Sequence, residues 1–115
     1  MKRFTGIYTP IITPFQTDDT LDEAGLVSNV QRWMGTSLTG IVVLGSNGEA
    51  AQLDDNECDR IVDLVREHMP SDRPLIAGTG RESTRATIAA TRRAAAAGVD
   101  AVLVRTPSFF KSQMT

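Results

Sequence analysis

The sequence predicts an α/β fold in which parallel strands alternate with crossover helices. Short β-branched runs begin near residues 6, 40, 75 and 101, and segments of helical periodicity separate them. Spacings of roughly 25 to 35 residues between strands suit successive βα units better than a short solenoid repeat. The chain has 115 residues, the size of one domain, so we expect residues 1–115 to share one core.

The first strand is predicted in "GIYTPIIT", residues 6–13, where Pro10 indicates an irregular or edge strand. A polar loop follows. The first helix is expected to begin with a capping pair of Thr20 and Glu23, with Asp22 as the alternative cap. Its apolar face comprises Leu26, Val27, Val30, Trp33 and Met34.

The second strand, "GIVVL", is apolar throughout, as expected of a parallel strand covered on both faces. Asp54 and Glu57 form another capping pair before the second helix, and Pro70 ends it. The apolar face of this helix comprises Cys58, Ile61, Val62, Val65 and Met69. The third strand is "PLIAGTG".

Ser83 begins an alanine-rich third helix that runs to Ala97, with Gly98 as its C-terminal cap, and "DAVLVRTP" is the fourth strand. Two architectures accept this pattern. One is an open doubly wound sheet, complete at about this length; the other is a (β/α)8 barrel of about 250 residues, which would be half present. In both, the loops "GSNGE", "GTGRES" and "TPSFF" share the face that carries the chemistry.

Composition points to no macromolecular partner. The net charge is −2 without a Lys/Arg cluster, so neither nucleic acid nor an anionic membrane is expected. Cys58 is the only cysteine, which excludes an internal disulfide and indicates a small buried hydrophobe. No apolar run approaches about 18 residues, so we expect a cytoplasmic protein. No His/Asp/Glu cluster suggests a metal site.

The segment Gly45–Glu49 combines two glycines with a hydroxyl and an amide where a buried strand ends. Consecutive backbone amides in such a turn form a nest for an anionic group, and Ser46 and Asn47 add side-chain donors. A phosphate loop would need a lysine followed by Ser or Thr, which is absent. A plain connection rich in turn-forming residues explains the same composition.

Four segments together resemble a known family. "TPIITPF", "GSNGEAAQL", "IAGTG" with "EST" after it, and "VRTPSFF" have the order and spacing of the dihydrodipicolinate synthase and N-acetylneuraminate lyase family of pyruvate-type class I aldolases. The Ser-Asn turn and "GTGRESTRATI" are most similar to its 4-hydroxy-2-oxoglutarate aldolase branch. The resemblance implies the N-terminal half of a TIM barrel. It also implies a lyase that forms a Schiff base with pyruvate or another 2-oxo acid, needs no cofactor or metal, and assembles as a homo-oligomer, a dimer or tetramer.

The resemblance also implies site residues. Ser46 and Asn47 would hold the substrate carboxylate through their backbone amides, and the Ser46 hydroxyl would join a proton relay. Gly78 would line the pocket floor, and Glu49 is interpreted as a structural partner of the loop. Phe109 lies where the family places an aromatic pair that includes a relay tyrosine, but phenylalanine has no hydroxyl. Hydrophobic packing is the alternative interpretation of its ring.

The family's Schiff-base lysine lies on the sixth barrel strand, a region outside this sequence. Lys2 and Lys111 are the chain's lysines, and neither is expected to be desolvated enough to stay neutral. Three hypotheses follow: the first half of an aldolase, a catalytically idle 2-oxo-acid-binding module, or an unrelated open α/β domain. Four barrel strands alone leave two edges unpaired, so the chain would dimerise through its edges, rearrange into an open sheet or belong to a longer chain of about 250 to 300 residues. We expect the last of these.

Arg105 is a further candidate because it lies on the last strand, directly before "TP". Facing the barrel mouth, it would attract a second carboxylate. Strand alternation also allows it to point outward.

Overall fold

The computed structural model describes residues 3–109, which form four strands, three α-helices and one short 3-10 helix. The strands are β1 (Tyr8–Pro10), β2 (Gly40–Val43), β3 (Leu75–Gly78) and β4 (Ala101–Leu103). The helices are α1 (Glu23–Met34), α2 (Asp55–His68) and α3 (Thr84–Ala96), and the 3-10 helix is Ala50–Gln52. The predicted alternation of strands and helices is confirmed.

All four strands are parallel, and each pairs with the next along the chain in the order β1-β2-β3-β4. A doubly wound sheet reverses its strand order at a switch point, whereas a (β/α)8 barrel adds each strand beside the previous one. The observed order is therefore that of the barrel. Within residues 3–109 no helix is long and apolar enough to cross a membrane.

The three helices cover one face of the sheet and form a continuous apolar core with it. In register across that face lie Val43 of β2, Ala77 of β3 and Val102 of β4. The core residues are Ile11, Leu26, Val30, Ile41, Val43, Leu44, Cys58, Ile61, Val62, Leu64, Val65, Met69, Leu75, Ala77 and Ala94. Burying them supplies the main driving force for folding this layer.

The opposite sheet face has no helical cover among residues 3–109. Val42 and Ile76 are half-buried there, and Leu103 is 56% exposed. The register pairs Val42 with Ile76 and Gly78 with Leu103, so these residues share the uncovered face. In a closed barrel this face lines the interior.

Asp22, the alternative cap, begins α1: its side chain accepts the Gly25 N–H at 2.9 Å. The expected pair of Thr20 and Glu23 is wrong as a capping box, because Thr20 instead bonds Asp18 within the preceding turn. Trp33 was expected on the buried face but is 41% exposed. The face of α1 that packs against the core is therefore narrower than the spacing of its apolar residues predicts.

The caps of α2 and α3 agree with the sequence. Asp54 and Glu57 form a reciprocal capping box, and the Ser83 hydroxyl accepts the Ala86 N–H. Gly98 has a φ of +95° and closes α3, where a side chain would strain the left-handed backbone. The first strand is shorter than predicted and ends at Pro10, although the Ile11 N–H still donates to the Val42 carbonyl at 3.0 Å.

The amino ends of the strands are tied by charged side chains that bond backbone groups. Asp100 accepts the Leu75 N–H at 2.9 Å and pairs with Arg66 at 3.2 Å. The Arg73 guanidinium donates to the carbonyl of Met34, the last residue of α1, and to that of Thr36 in the loop that follows. These contacts give the loop carbonyls hydrogen-bond donors within the protein.

Candidate functional site

The carboxyl ends of β2, β3 and β4 surround an open cavity of about 760 Å³. Its walls are formed by Leu44, Gly45, Ser46, Ala50, Ala51, Leu53, Gly78, Gly80, Arg81, Glu82, Leu103, Arg105 and Ser108. Three of these residues are charged, two arginines against one glutamate. Both arginines are paired with carboxylates, Arg81 with Asp55 at 3.2 Å and Arg105 with Glu82 at 3.3 Å.

The turn after β2 leaves two backbone donors available. Within it the amides of Gly48 and Ala50 donate to the Gly45 carbonyl, and the Glu49 amide donates to the Ser46 carbonyl. The amide N–H groups of Ser46 and Asn47 have no acceptor among residues 3–109. Both residues are exposed, and Ser46 lines the cavity. Two adjacent free amides are the arrangement that binds a carboxylate.

Leu44 fixes where this turn lies. Its φ of +59° is unfavourable for a residue with a Cβ, so the chain leaves β2 with local strain. The Leu44 carbonyl oxygen then passes so close to Gly78 that a Cβ there would lie 2.0 Å from it. Gly78 is consequently required by the path of the neighbouring turn, in addition to lining the cavity.

Thr13 supports the turn from below. Its buried hydroxyl donates to the Gly48 carbonyl at 2.6 Å and joins the end of the first strand segment to the turn. Glu49, the expected structural partner, acts through its backbone: its φ is +57° and it begins the 3-10 helix. Its side chain makes no capping hydrogen bond.

Glu82, in the loop after β3, holds the loop after β4. Its carboxylate accepts the Ser108 N–H at 3.1 Å, the Ser108 hydroxyl at 3.0 Å and the Phe109 N–H at 3.2 Å. The Phe109 N–H and then the Ser108 donors lower the pKa of Glu82 below its ordinary value, because they stabilise the ionised form. Three polar groups of the loop after β4 are thus bonded to one side chain of the loop after β3.

Arg105 packs across Gly80 to reach the same carboxylate. A Cβ on Gly80 would lie 3.0 Å from the Arg105 nitrogen and 3.1 Å from its Cγ, so Gly80 leaves room for this side chain. The Nη1 group of Arg105 is 3.3 Å from Glu82 Oε1 and 3.4 Å from the Thr106 carbonyl. The residue lines the cavity, which resolves the two directions left open by strand alternation.

The structure brings together some of the residues expected in the site. Ser46 and Gly78 both line the cavity, and Asn47 lies beside them on the exposed tip of the turn. Phe109 does not line it: its side chain is 79% exposed, and only its backbone joins the Glu82 cluster. Tyr8 lies at the other end of the sheet, with a buried hydroxyl that has no partner among residues 3–109.

Lys2, Phe110 and Lys111, which the sequence analysis discussed, lie outside the described residues. Two contributors were missed from the sequence, Thr13 and Glu82. Thr13 carries a weak signal, a hydroxyl directly after an apolar strand. Glu82 stands between "GTG" and "ST" and looked like one more polar loop residue.

A second cavity, of about 320 Å³, lies between α2 and α3. The charged side chains in and beside its walls pair with one another: Arg93 bonds Asp59 at 3.0 Å, and Asp55 contacts both Arg81 and Arg93. Burial raises the pKa of the Cys58 thiol at its base, which keeps that thiol protonated. Among residues 3–109, no three His, Cys, Asp or Glu side chains group as metal ligands.

The chain is similar to proteins of known name. It is 43% identical over 106 residues to a 4-hydroxy-tetrahydrodipicolinate synthase from Methanothrix thermoacetophila, covering 92% of this chain and 35% of the relative. It is 40% identical over 111 residues to a protein from Emericella nidulans named "Probable 4-hydroxy-2-oxoglutarate aldolase, mitochondrial", covering 93% of this chain and 36% of the relative. The chain therefore spans about a third of the length of these relatives.

A solved structure gives the same result in three dimensions. A prophage protein of the dihydrodipicolinic acid synthase family from Escherichia coli, in complex with pyruvate, superposes with a TM-score of 0.89 at 33% identity. The match covers 94% of this chain and 36% of that chain. The predicted N-terminal part of a TIM barrel is confirmed, and the unrelated open α/β domain is excluded. Residues 3–115 match the Dihydrodipicolinate synthetase family, and the chain belongs to that family.

Proposed function

We propose that the complete protein carrying this chain is a lyase that forms a Schiff base with pyruvate or another 2-oxo acid and makes or breaks the adjacent carbon–carbon bond. In this proposal the chain supplies the first four barrel strands and the carboxylate-binding turn. The observation that carries it is the pair of amides at Ser46 and Asn47, which have no acceptor within residues 3–109 and lie beside the cavity. The names of the relatives, a synthase and an aldolase, support the same reaction class.

The geometry suits a 2-oxo acid in particular. A carboxylate on the amides of Ser46 and Asn47 would receive two hydrogen bonds from groups that the fold already holds in place, so little ordering is needed on binding. The turn that begins at Leu44 is supported by Thr13, and both residues that supply these amides are exposed. The 2-oxo carbon would then lie over the cavity, within reach of an amine from the opposite wall of the barrel.

The Ser46 hydroxyl would move a proton during Schiff-base formation. It has no hydrogen-bond partner among residues 3–109, so it is available to substrate or to a relay group. When the amine attacks the 2-oxo carbon, the carbonyl oxygen must gain protons to leave as water. A hydroxyl beside the carboxylate site is placed to deliver one of them.

A second candidate is a 2-oxo-acid-binding protein without catalysis. Two observations favour it: residues 3–109 contain no lysine, and Phe109 has no hydroxyl with which to relay a proton. In the proposed lyase the amine comes from another part of the complete protein. The two candidates differ in covalent chemistry and share the carboxylate-binding turn.

Borohydride trapping separates them. The complete protein is mixed with pyruvate and sodium borohydride, and its intact mass is measured with and without pyruvate. The lyase gains one reduced pyruvyl adduct per chain on a single lysine, which peptide mapping locates. No adduct together with pyruvate binding by calorimetry would support the binding protein. Neither adduct nor binding would contradict both.

Variants of Ser46 then test its role. Ser46→Ala keeps the backbone amides, so pyruvate should still bind within about threefold, while the rate of adduct formation falls by roughly 100-fold or more. Ser46→Thr restores a hydroxyl and should recover most of the rate. Equal trapping rates in Ser46→Ala and the parent protein would remove Ser46 from the relay.

A further inference from the structure

We infer that the Glu82 carboxylate is a latch between the loops after β3 and β4, and that its closure is coupled to binding of the 2-oxo acid. The inference rests on the proposed function and adds a conformational control to the same site. Its starting point is that Glu82 bonds two residues of the next loop, Arg105 and Ser108, and that all three line the cavity.

The loop after β4, residues 104–109, depends on Glu82 for its position. Pairing between β3 and β4 ends at Leu103. Beyond that point, residues 104–108 hydrogen-bond no other part of the described chain except Glu82. Packing adds little, because every residue of the loop is exposed and the Phe109 side chain is 79% exposed. Without Glu82 this cavity wall therefore loses its anchor.

The closed latch is a set of donors that converge on one carboxylate. The consecutive amides of Ser108 and Phe109 lie 3.1 and 3.2 Å from Glu82 Oε2. The Ser108 hydroxyl and the Arg105 Nη1 group lie 3.0 and 3.3 Å from Oε1. Bonds to an ionised acceptor are strong, but the Glu82 side chain is 50% exposed, so water competes for the same oxygens. None of these residues belongs to the core, so the latch can open while the core stays packed.

Opening the latch changes the cavity in two ways. Arg105 and Ser108 are released from its wall, so that side of the cavity is no longer preorganised for a ligand. The Glu82 carboxylate loses its cation but stays in the wall, where it repels the carboxylate of a 2-oxo acid held at Ser46 and Asn47. Both effects weaken binding, so a ligand that binds the closed state better must in turn favour closure.

This reciprocity is tested from both sides on the complete protein. Hydrogen exchange of the Ser108 and Phe109 amides is measured with and without saturating pyruvate. Pyruvate affinity is measured by calorimetry at one fixed ionic strength, because charge effects depend on salt. We expect pyruvate to slow exchange at both amides about fivefold, the lower end of measured couplings between sites. Glu82→Gln should weaken pyruvate binding by a similar factor and make exchange at both amides insensitive to pyruvate.

Further variants separate the latch from the charge of Glu82 alone. Glu82→Asp keeps the charge but shortens the side chain, so it should weaken pyruvate binding at least as much as Glu82→Gln. Ser108→Ala removes only the hydroxyl donor and should give a smaller loss of affinity. Glu67→Gln, which removes the same charge from an exposed position in the last turn of α2, is the matched control and should leave affinity and exchange unchanged.

Amide exchange at Ser108 and Phe109 that bound pyruvate leaves unchanged in the parent protein would overturn the inference. Unchanged pyruvate affinity in both Glu82→Gln and Glu82→Asp would also overturn it. The exchange measurement on the parent protein needs no variant, so it decides the question even if a substitution prevents folding. The proposed function fails separately: coupling without a pyruvyl adduct would contradict the lyase and retain the latch, and an adduct without coupling would do the reverse. Absence of pyruvate binding would contradict both.

Discussion

The two ends of the sheet differ in how far their backbone polar groups are hydrogen-bonded within the protein. At the amino end, Asp100 closes on the Leu75 amide and on Arg66, and the side chains of this ion pair are only 16% and 19% exposed. At the carboxyl end, the turn after β2 leaves the amides of Ser46 and Asn47 unbonded among residues 3–109, and Arg105 keeps half its side chain in solvent.

This difference separates stability from function within one small layer. Side chains at the amino end form hydrogen bonds with the backbone of the loops, so few polar groups there are available to a ligand. The carboxyl end carries strain at Leu44, a cavity, and amide donors without an acceptor in the described part of the chain, which are features that cost stability and favour binding. Substitutions at the amino end should therefore change the free energy of unfolding alone, and those at the carboxyl end should also change ligand binding.

The largest effect is expected at Gly78, which lets the turn after β2 pack closely and also lines the cavity. Gly78→Ala places a Cβ 2.0 Å from the Leu44 carbonyl oxygen, and backbone must move to relieve the contact. The free energy of unfolding should fall by about 3 kcal/mol or more, measured by urea denaturation of the complete protein. Gly45→Ala is the control, because a Cβ there meets nothing within 4 Å. Equal urea midpoints for the two variants would contradict the account.

The next effect is expected at the amino end. Asp100→Ala leaves the Leu75 amide and the Arg66 guanidinium without this acceptor, at a cost of about 2 kcal/mol in the free energy of unfolding. Pyruvate affinity, measured by calorimetry on the folded variant, should stay within about twofold. A large loss of affinity with little loss of stability would break the proposed separation of the two ends.

A smaller effect is expected at Thr13, whose hydroxyl joins the segment after β1 to the turn after β2. Thr13→Val keeps the side-chain shape but leaves the buried Gly48 carbonyl without its donor, and should cost about 1 kcal/mol of stability. Because the turn loosens, pyruvate should also bind more weakly. Thr9→Val is the control, since the Thr9 hydroxyl makes an exposed contact of 3.3 Å. Unchanged pyruvate binding would show that the turn holds its shape without Thr13.

The smallest effect concerns the pH dependence of the Glu82 cluster. Hydrogen bonds lower the pKa of Glu82 in the folded protein, so their contribution is complete above the ordinary glutamate value of about 4.3 and is lost as pH falls through the lowered one. Hydrogen exchange at the Ser108 amide should accelerate below that pH relative to distant loops. Glu82→Gln should abolish the pH step, and a step that persists would assign it to another group.

Much of the layer could be predicted from periodicity and caps. The Asp54–Glu57 capping box, the Ser83 cap and the glycine turn at Gly98 are local signals, and the structure contains all three. The prediction that Trp33 lies on the packed face of α1 was wrong. An apolar residue at helical spacing does not show how wide the packed face is.

The site was only partly predictable. The "GSNGE" segment indicated the donors, and the position of Ser46 in the cavity agrees with that interpretation. Glu82 and Thr13 act through contacts 26 and 35 residues away in sequence, which no local pattern reports. The direction of Arg105 became clear from the cavity that it lines, since alternation alone allowed either face.

The central claim is that the amides of Ser46 and Asn47 receive the carboxylate of a 2-oxo acid. The most direct test follows the backbone amide resonances of the isotope-labelled complete protein during titration with pyruvate. The account predicts downfield amide-proton shifts at Ser46 and Asn47, with smaller changes at Gly48 and Ala50, whose N–H groups already bond Gly45. Saturation with pyruvate that leaves the Ser46 and Asn47 resonances unmoved would contradict it.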